Sequence, residues 1–137
     1  MTPLYTATAT SVGGREGHVK SDDGTLDLKL AVPKGLGGPG GAGSNPEQLF
    51  AAGYSACFAG ALGLVARTQG VKPGPHTITA KVSIGKDATS FGLAVELHGK
   101  FDELPREQAE ALMKGAHEVC PYSKATRGNI DVKLVVD

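Results

Sequence analysis

The feature that most constrains this chain is a long uncharged stretch that runs from Leu49 to Ala66. A helix built from these residues would be apolar or small on every side, which is typical of a helix buried all round. Asn45 is a favoured N-cap residue, Pro46 suits the first helical position, and Gln48 stands where a capping box has Gln or Glu. The sequence therefore predicts one long, buried central helix that ends near residue 70.

The same stretch limits how the chain can be enclosed. A membrane span would need a more hydrophobic composition than one with Gly53, Gly60, Gly63 and many alanines, so a membrane location is the less favoured alternative. A domain of 137 residues has difficulty covering such a helix alone. Because small side chains let a second backbone approach closely, we expect two copies of the chain to form a homodimer.

Most of the remaining sequence alternates at the period of β-strands. The exception, Pro105–Cys120, has apolar residues at three- and four-residue spacing and predicts a second helix that Pro121 ends. Residues 35–43 are rich in glycine but lack the ending of a phosphate-binding loop, so we interpret them as a flexible connection. The predicted order is βββ-α-ββ-α-β, an α+β class, in one domain of residues 1–137. The strands are predicted at Leu4–Val12, His18–Ser21, Leu26–Val32, Thr77–Ile84, Phe91–Lys100 and Ile130–Val136.

Charge and composition argue against several classes of function. The 14 basic and 14 acidic residues are scattered and give zero net charge, so neither nucleic acid nor an anionic membrane is an expected partner. Met1 leads into a polar stretch without a signal-peptide pattern, so we expect a cytoplasmic protein. The four histidines are dispersed and the two cysteines lack ligand spacing, so no metal site is expected.

The two cysteines are the residues best suited to chemistry. Permanent disulfides are uncommon in the cytoplasm, so a bond between Cys57 and Cys120 would belong to a reaction. A thiol peroxidase needs one thiolate to attack the O–O bond, and a second thiol to condense with the sulfenic acid before it oxidises further. Taken alone, Cys57 is better explained as an inert residue that fills the core, and the position of Cys120 also suits ordinary packing.

Arg15 and Glu47 are the candidates for activating a thiol. Arg15 lies in a turn between glycines, and a nearby guanidinium lowers a thiol pKa, although a solvated turn arginine would look the same. Glu47 would either interact with the positive helix end or orient Arg15 as a bidentate partner. Ten residues of α-helix span about 15 Å, so one helix cannot bring both Glu47 and Cys57 to one site. If both serve one site, an antiparallel pair of these helices from two chains must build it.

Four groups of residues carry a resemblance to a known family over nearly the whole chain. They are Gly13–Gly17; Gly35–Gly43 running into Asn45–Phe50; Ala52–Phe58; and Val119–Ser123 followed by Thr126–Ile130. In these segments the chain resembles the organic hydroperoxide resistance branch of the OsmC/Ohr family. The resemblance implies antiparallel sheets around the long buried helix, in an intertwined homodimer with two active sites at the subunit interface.

The resemblance also implies a role for each candidate residue. Cys57 matches the peroxidatic cysteine and Cys120 the resolving cysteine, so that an intramolecular disulfide follows the sulfenic acid. Arg15 would stabilise the Cys57 thiolate and the departing alkoxide. Glu47 would orient Arg15, across the dimer.

The implied substrate is an organic hydroperoxide. Apolar surroundings would favour alkyl or fatty-acid hydroperoxides over hydrogen peroxide, since each buried methylene contributes about 0.8 kcal/mol. No bound cofactor is expected, and the resemblance implies dihydrolipoyl groups on a lipoylated partner protein as the reductant. Two alternatives stay open: a redox sensor that uses the same disulfide, and a lipid-binding module with inert cysteines. The residues predicted to line the substrate site are Phe50, Phe58, Leu62 and Tyr122.

Overall fold

The computed structural model describes residues 1–137 and divides them into two units, residues 1–49 and residues 50–137. Each unit contains one three-stranded sheet. The long helix α1 (Pro46–Gln69) begins in the first unit and continues in the second. The prediction of a single domain over residues 1–137 stays a prediction.

The first unit is an antiparallel meander. Strands β1 (Ala9–Val12), β2 (His18–Ser21) and β3 (Asp27–Lys29) lie in the order β1-β2-β3. The three strands were predicted, but β1 and β3 are shorter than the alternation indicates. The alternation in residues 4–7 is that of a strand, but these residues have no partner strand within the chain and are not part of β1. The Thr8 carbonyl accepts a hydrogen bond from the Asp22 N–H at 3.0 Å, where the pairing of β1 with β2 ends.

The glycine-rich connection after β3 has a defined conformation. A 3-10 turn at Lys34–Leu36 ends on Gly37, whose φ of 82° suits glycine. The Ala31 N–H donates to the Ser44 carbonyl at 2.9 Å, so the two ends of the connection lie side by side. The segment predicted as a flexible connection therefore folds back on itself through backbone hydrogen bonds.

Helix α1 begins where the sequence indicates. The Asn45 side-chain oxygen accepts a hydrogen bond from the Gln48 N–H at 2.8 Å, which satisfies one of the free donors of the first turn. The Gln48 side chain accepts a bond from the Ser44 hydroxyl at 3.0 Å. At the other end, Gly70 adopts a φ of 68° and the Val71 N–H donates to the Ala66 carbonyl, which closes the helix.

One face of α1 is buried and the opposite face is not, so the prediction of burial all round is not met within a single chain. The exposed face carries Ala52, Ala56, Gly60 and Leu64, a stripe at four-residue spacing. Helix α1 is long enough and apolar enough to cross a membrane, with a mean hydropathy of 1.7. Core helices of soluble proteins meet the same criterion of length and composition. The buried face is formed by Tyr54, Phe58, Ala61, Leu62, Val65 and Ala66.

The second unit contains a long hairpin and a crossover. Strands β4 (His76–Lys86) and β5 (Phe91–Phe101) pair antiparallel over their whole length, and helix α2 (Arg106–Val119) follows. A short helix, α3 (Pro121–Thr126), leads to strand β6 (Val132–Val136). The sheet order is β4-β5-β6.

Two details of this unit correct the sequence analysis. The last strand, β6, runs parallel to β5, so the second sheet is mixed and not antiparallel. The helical crossover between β5 and β6 returns the chain to the same end of the sheet, and this return makes a parallel pair possible. Helix α3 was not predicted: Pro121 does end α2, but it also occupies the first position of α3, where its missing N–H costs nothing.

The core of the second unit lies between α1, α2 and the sheet. Leu97 on β5 and Leu112 and Met113 on α2 are buried with the inner face of α1. Cys120 belongs to the same cluster and Cys57 packs against it. Both thiols are therefore held by the packing of the core.

Candidate active site

Arg15 is presented by a tight turn in the first unit. Gly13 and Gly14 adopt φ values of 80° and 57°, which favour glycine, and residues 14–16 form a 3-10 turn. The guanidinium donates two hydrogen bonds to the Glu47 carboxylate, at 2.9 Å and 2.7 Å. This is a bidentate arrangement, which fixes the plane of the guanidinium as well as its position.

The Arg15–Glu47 pair forms within one chain. Glu47 was predicted to orient Arg15 across the dimer, whereas in this structure its carboxylate pairs with the arginine of its own chain. The hydrogen bond from Arg15 holds the pKa of Glu47 below its usual value and raises the pKa of Arg15. Glu47 is largely covered, with 13% of its side chain exposed, while 40% of the Arg15 side chain is accessible. The guanidinium thus keeps an open side for another group.

The two thiols lie together in the second unit. Cys57 is on α1 and Cys120 is the residue between α2 and α3, and their sulfur atoms are 3.6 Å apart, with the Cys120 thiol donating to Cys57. Both are free thiols. Cys120 is completely buried, whereas Cys57 is partly exposed. The Cys57 sulfur can therefore contact a molecule from solvent, whereas the Cys120 sulfur cannot.

The surroundings of Cys57 within this unit do not favour its thiolate. Burial raises the pKa of the Cys57 thiol, and the neighbouring Cys120 raises it further. A hydrogen bond from the Tyr122 backbone N–H to the sulfur acts in the opposite direction but does not reverse the shift. No cation of residues 50–137 acts on Cys57, so nothing in this unit lowers its pKa enough to favour the thiolate, which is the nucleophilic form of a thiol.

An aromatic cluster lies beside the thiols. The Phe50, Tyr54 and Tyr122 rings pack with centroids 5.7–6.1 Å apart. Tyr122 crosses α1 at Gly53, where a Cβ atom would come within 2.7 Å of the Tyr122 hydroxyl. The absence of a side chain at Gly53 thus lets the Tyr122 ring lie directly on the helix.

The predicted substrate-site residues divide into two groups. Phe58 and Leu62 are completely buried in the core, so in this structure they offer no surface to an alkyl chain. Phe50 is partly buried, and Tyr122 is 40% exposed. Of the four, Phe50 and Tyr122 are the accessible apolar surfaces near Cys57.

Sequence reasoning missed a buried polar cluster one helical turn from the thiols. The Tyr54 hydroxyl is 2.9 Å from the Ser123 hydroxyl and 3.0 Å from that of Thr126. The Ser123 hydroxyl also lies 2.8 Å from Nδ1 of His117. A usable signal was the spacing: Tyr54 precedes one cysteine by three residues and Ser123 follows the other by three. No cluster of His, Cys, Asp or Glu side chains is arranged to hold a metal ion.

Comparison with known proteins gives consistent matches. The family described as OsmC-like protein matches residues 38–135. The organic hydroperoxide resistance protein of Xanthomonas axonopodis pv. citri is 52% identical over 97% of this chain and 94% of its own length. The crystal structure of the organic hydroperoxide resistance protein OhrB of Bacillus subtilis superposes with a TM-score of 0.90 at 48% identity, over 98% of this chain and all of that chain. A structure from Legionella pneumophila, described as an organic hydroperoxide resistance protein, gives a TM-score of 0.92 at 51% identity, over 99% of each chain.

Proposed function

Since the chain belongs to the family of OsmC-like proteins and is similar over nearly its whole length to organic hydroperoxide resistance proteins, we propose that it detoxifies organic hydroperoxides as a thiol peroxidase. Cys57 is the attacking thiol and Cys120 the resolving thiol. The observation that carries this proposal is the 3.6 Å approach of a partly exposed sulfur to a buried one.

In the first step the Cys57 thiolate attacks the outer oxygen of the hydroperoxide. The O–O bond breaks, the sulfur is oxidised to a sulfenic acid, and the alkoxide leaves and takes up a proton to become the alcohol. The guanidinium of Arg15 stabilises first the thiolate and then the alkoxide, because both carry negative charge that the cation faces. Glu47 is a positioning residue that holds the guanidinium in one plane.

In the second step Cys120 condenses with the oxidised Cys57. The Cys120 sulfur attacks the sulfenic sulfur, the S–S bond forms, the S–O bond breaks, and the hydroxyl leaves with the thiol proton as water. The two sulfurs already lie close to the distance of a productive encounter, about 3–3.5 Å. This proximity limits the time in which the sulfenic acid can be oxidised irreversibly.

Our proposal includes a homodimer that brings Arg15 of one chain to Cys57 of the other. Two arguments support it: residues 50–137 contain no cation that acts on Cys57, and three of the four residues on the exposed stripe of α1 are small. Glu47 and Cys57 are ten residues apart on one continuous helix, or about 15 Å along its axis. Two antiparallel α1 helices would bring the Arg15–Glu47 pair of each chain to the thiols of its partner.

The proposed substrates are alkyl and fatty-acid hydroperoxides. The accessible rings of Phe50 and Tyr122 would cover the alkyl part, at about 0.8 kcal/mol for each buried methylene. The peroxidase cycle needs two electrons to return the disulfide to two thiols, and we propose dihydrolipoyl groups of a partner protein in the cytoplasm as their source. No bound cofactor is part of this proposal.

A stopped-flow experiment tests the proposed function. The reduced protein is mixed with cumene hydroperoxide or hydrogen peroxide, and peroxide loss and free thiols are followed in the native chain, Cys57→Ser and Cys120→Ser. We expect fast consumption of the organic peroxide, no reaction in Cys57→Ser, and sulfinic acid at Cys57 in Cys120→Ser. Oxidation that is slow and indifferent to either substitution would mean that the cysteines are structural. Turnover with a lipoyl dithiol separates a peroxidase from a redox sensor, which would stop after one cycle.

A further inference from the structure

A chain of hydroxyl groups lies buried beside the two thiols. Tyr54 and Ser123 are completely enclosed and Thr126 is 4% exposed. The Tyr54 hydroxyl contacts both other hydroxyls, at 2.9 Å and 3.0 Å, and the Thr126 hydroxyl donates to the Ser123 carbonyl at 3.1 Å. Every buried polar side-chain atom of the molecule has a partner. The hydroxyl chain is therefore a network in which every buried member has a partner, and such networks make a core rigid.

Such a network is a costly way to fill a core. Burying a hydroxyl requires a partner with good geometry, whereas replacing all the partners together by apolar residues of similar shape gives nearly the same stability. The apolar equivalents here are Phe at position 54 and Val at position 126. What the hydroxyls add is direction, since each bond specifies where α3 lies on α1.

The geometry links this network to the thiols. Tyr54 and Cys57 are three residues apart on α1, and Cys120 and Ser123 are three residues apart at the start of α3. The same two segments are thus joined twice, one helical turn apart: by the sulfurs at 3.6 Å and by the Tyr54 and Ser123 hydroxyls at 2.9 Å. A displacement of α3 along α1 that broke the hydroxyl contact would also separate the sulfurs.

Helix α2 holds the network from its other side. Nδ1 of His117 bonds the Ser123 hydroxyl, and burial keeps the pKa of His117 below its usual value. The Arg127 guanidinium donates to the His117 carbonyl at 2.6 Å, at the end of α2 where carbonyls lack helical partners. The corner that carries Cys120 is therefore fixed to both neighbouring helices.

We propose that the Tyr54–Ser123–Thr126 hydroxyl chain is a positioning device for disulfide closure, the second chemical step. This inference rests on the proposed peroxidase function. The hydroxyls hold Cys120 in place so that its sulfur reaches the Cys57 sulfenic acid, the S–S bond forms and water leaves. The first step, attack of Cys57 on peroxide, uses the exposed side of Cys57 and needs no contact between the two sulfurs. Cys120 affects this step through the pKa of the Cys57 thiol, which it raises.

The test compares the two steps in variants that keep shape but lose a hydroxyl. Tyr54→Phe and Thr126→Val are each mixed, fully reduced, with one equivalent of cumene hydroperoxide in the full-length protein. Peroxide loss reports the first step, and quenched samples analysed by mass spectrometry report sulfenic acid, disulfide and sulfinic acid. We expect disulfide closure to slow by about tenfold or more, because a displacement of about 1 Å can cost about a hundredfold in rate. The rate of peroxide loss should change much less, since the first step needs no contact between the two sulfurs. Sulfinic acid should accumulate under excess peroxide.

Two controls separate positioning from a general loss of stability. Thr126→Ser, unlike Thr126→Val, keeps a hydroxyl at this position and should close the disulfide at the native rate. Leu97→Val loosens the core at β5, a strand that carries neither a thiol nor a hydroxyl of the network, and should lower the melting temperature without changing the ratio of the two rates. If Tyr54→Phe and Thr126→Val close the disulfide as fast as the native chain, the positioning role is wrong. If the native chain itself does not consume the peroxide, the proposed function fails instead.

Discussion

The exposed face of α1 makes the substitution Gly60→Ala a sensitive test of how this helix is covered. A Cβ atom at Gly60 would meet no atom of the same chain within 4 Å. On a helix that stays in solvent, replacing glycine by alanine stabilises the fold by about 1 kcal/mol, since alanine loses less backbone freedom. For a domain of this size that gain raises the melting temperature by about 4 °C.

The expected result has the opposite sign if two α1 helices pack against each other through this face. An added methyl in a close contact costs about 1–3 kcal/mol, and a symmetric dimer contains two of them, or about 2–6 kcal/mol in total. At about 1.4 kcal/mol for each factor of ten, the dissociation constant would rise by about thirtyfold or more. We therefore expect Gly60→Ala to weaken the dimer strongly, although each chain alone becomes more stable.

Sedimentation equilibrium over a range of concentrations measures the dissociation constant, and thermal unfolding at low and high concentration measures stability. Gly85→Ala is the matched control, because Gly85 is exposed, also has free space around its Cα and lies in β4. It should leave association unchanged. If Gly60→Ala raises the melting temperature by a few degrees at every concentration and leaves association unaltered, α1 does not form the dimer contact.

Three further predictions follow from other parts of the molecule. Leu97 is completely buried, so Leu97→Ala should lower the free energy of unfolding by about 2–5 kcal/mol in urea titrations, and a loss below about 1 kcal/mol would contradict this packing. Glu96 and then Asp137 raise the pKa of His98, so the stability that this cluster contributes is complete below pH 6.5 and is lost as the pH rises through the raised pKa. In melting curves recorded at several pH values, His98→Gln should remove that decline. An unchanged pH profile would show that the cluster adds no stability. Glu47→Gln removes the carboxylate that accepts two hydrogen bonds from Arg15, so the guanidinium is no longer held in one plane. Peroxide reduction should then slow by about tenfold or more in stopped-flow traces, whereas an unchanged rate would show that the orientation of Arg15 is immaterial.

The elements with a long, clear period were predictable from the sequence. The Asn45–Pro46 pair located the start of α1, and the alternation in residues 76–101 gave the long hairpin. The direction of β6 was not predictable, because alternation reports which side of a strand is buried but not which way its neighbour runs. Helix α3 is too short to show a period, and Pro121 signals the end of one helix as readily as the start of another.

The candidate site was predictable only in part. The sequence singled out Cys57, Cys120, Arg15 and Glu47, and the structure pairs them two by two, with roles that await the experiments above. The sequence did not indicate that burial would raise the pKa of Cys57 within its own unit, since desolvation depends on packing. The buried hydroxyl chain was not predictable, because Tyr, Ser and Thr occur throughout ordinary sequences. What distinguishes Ser123 and Thr126 is their contact with Tyr54 on a helix distant in sequence.

The complete enclosure of Cys120 also determines how the disulfide proposed here can be undone. An external thiolate must approach one sulfur from the side opposite the bond it breaks. Only Cys57 has a side that faces solvent. A reductant would therefore form its mixed disulfide with Cys57, and Cys120 would be the leaving sulfur. Reduction of the proposed disulfide would then occur at the same solvent-facing side at which the peroxide is proposed to react.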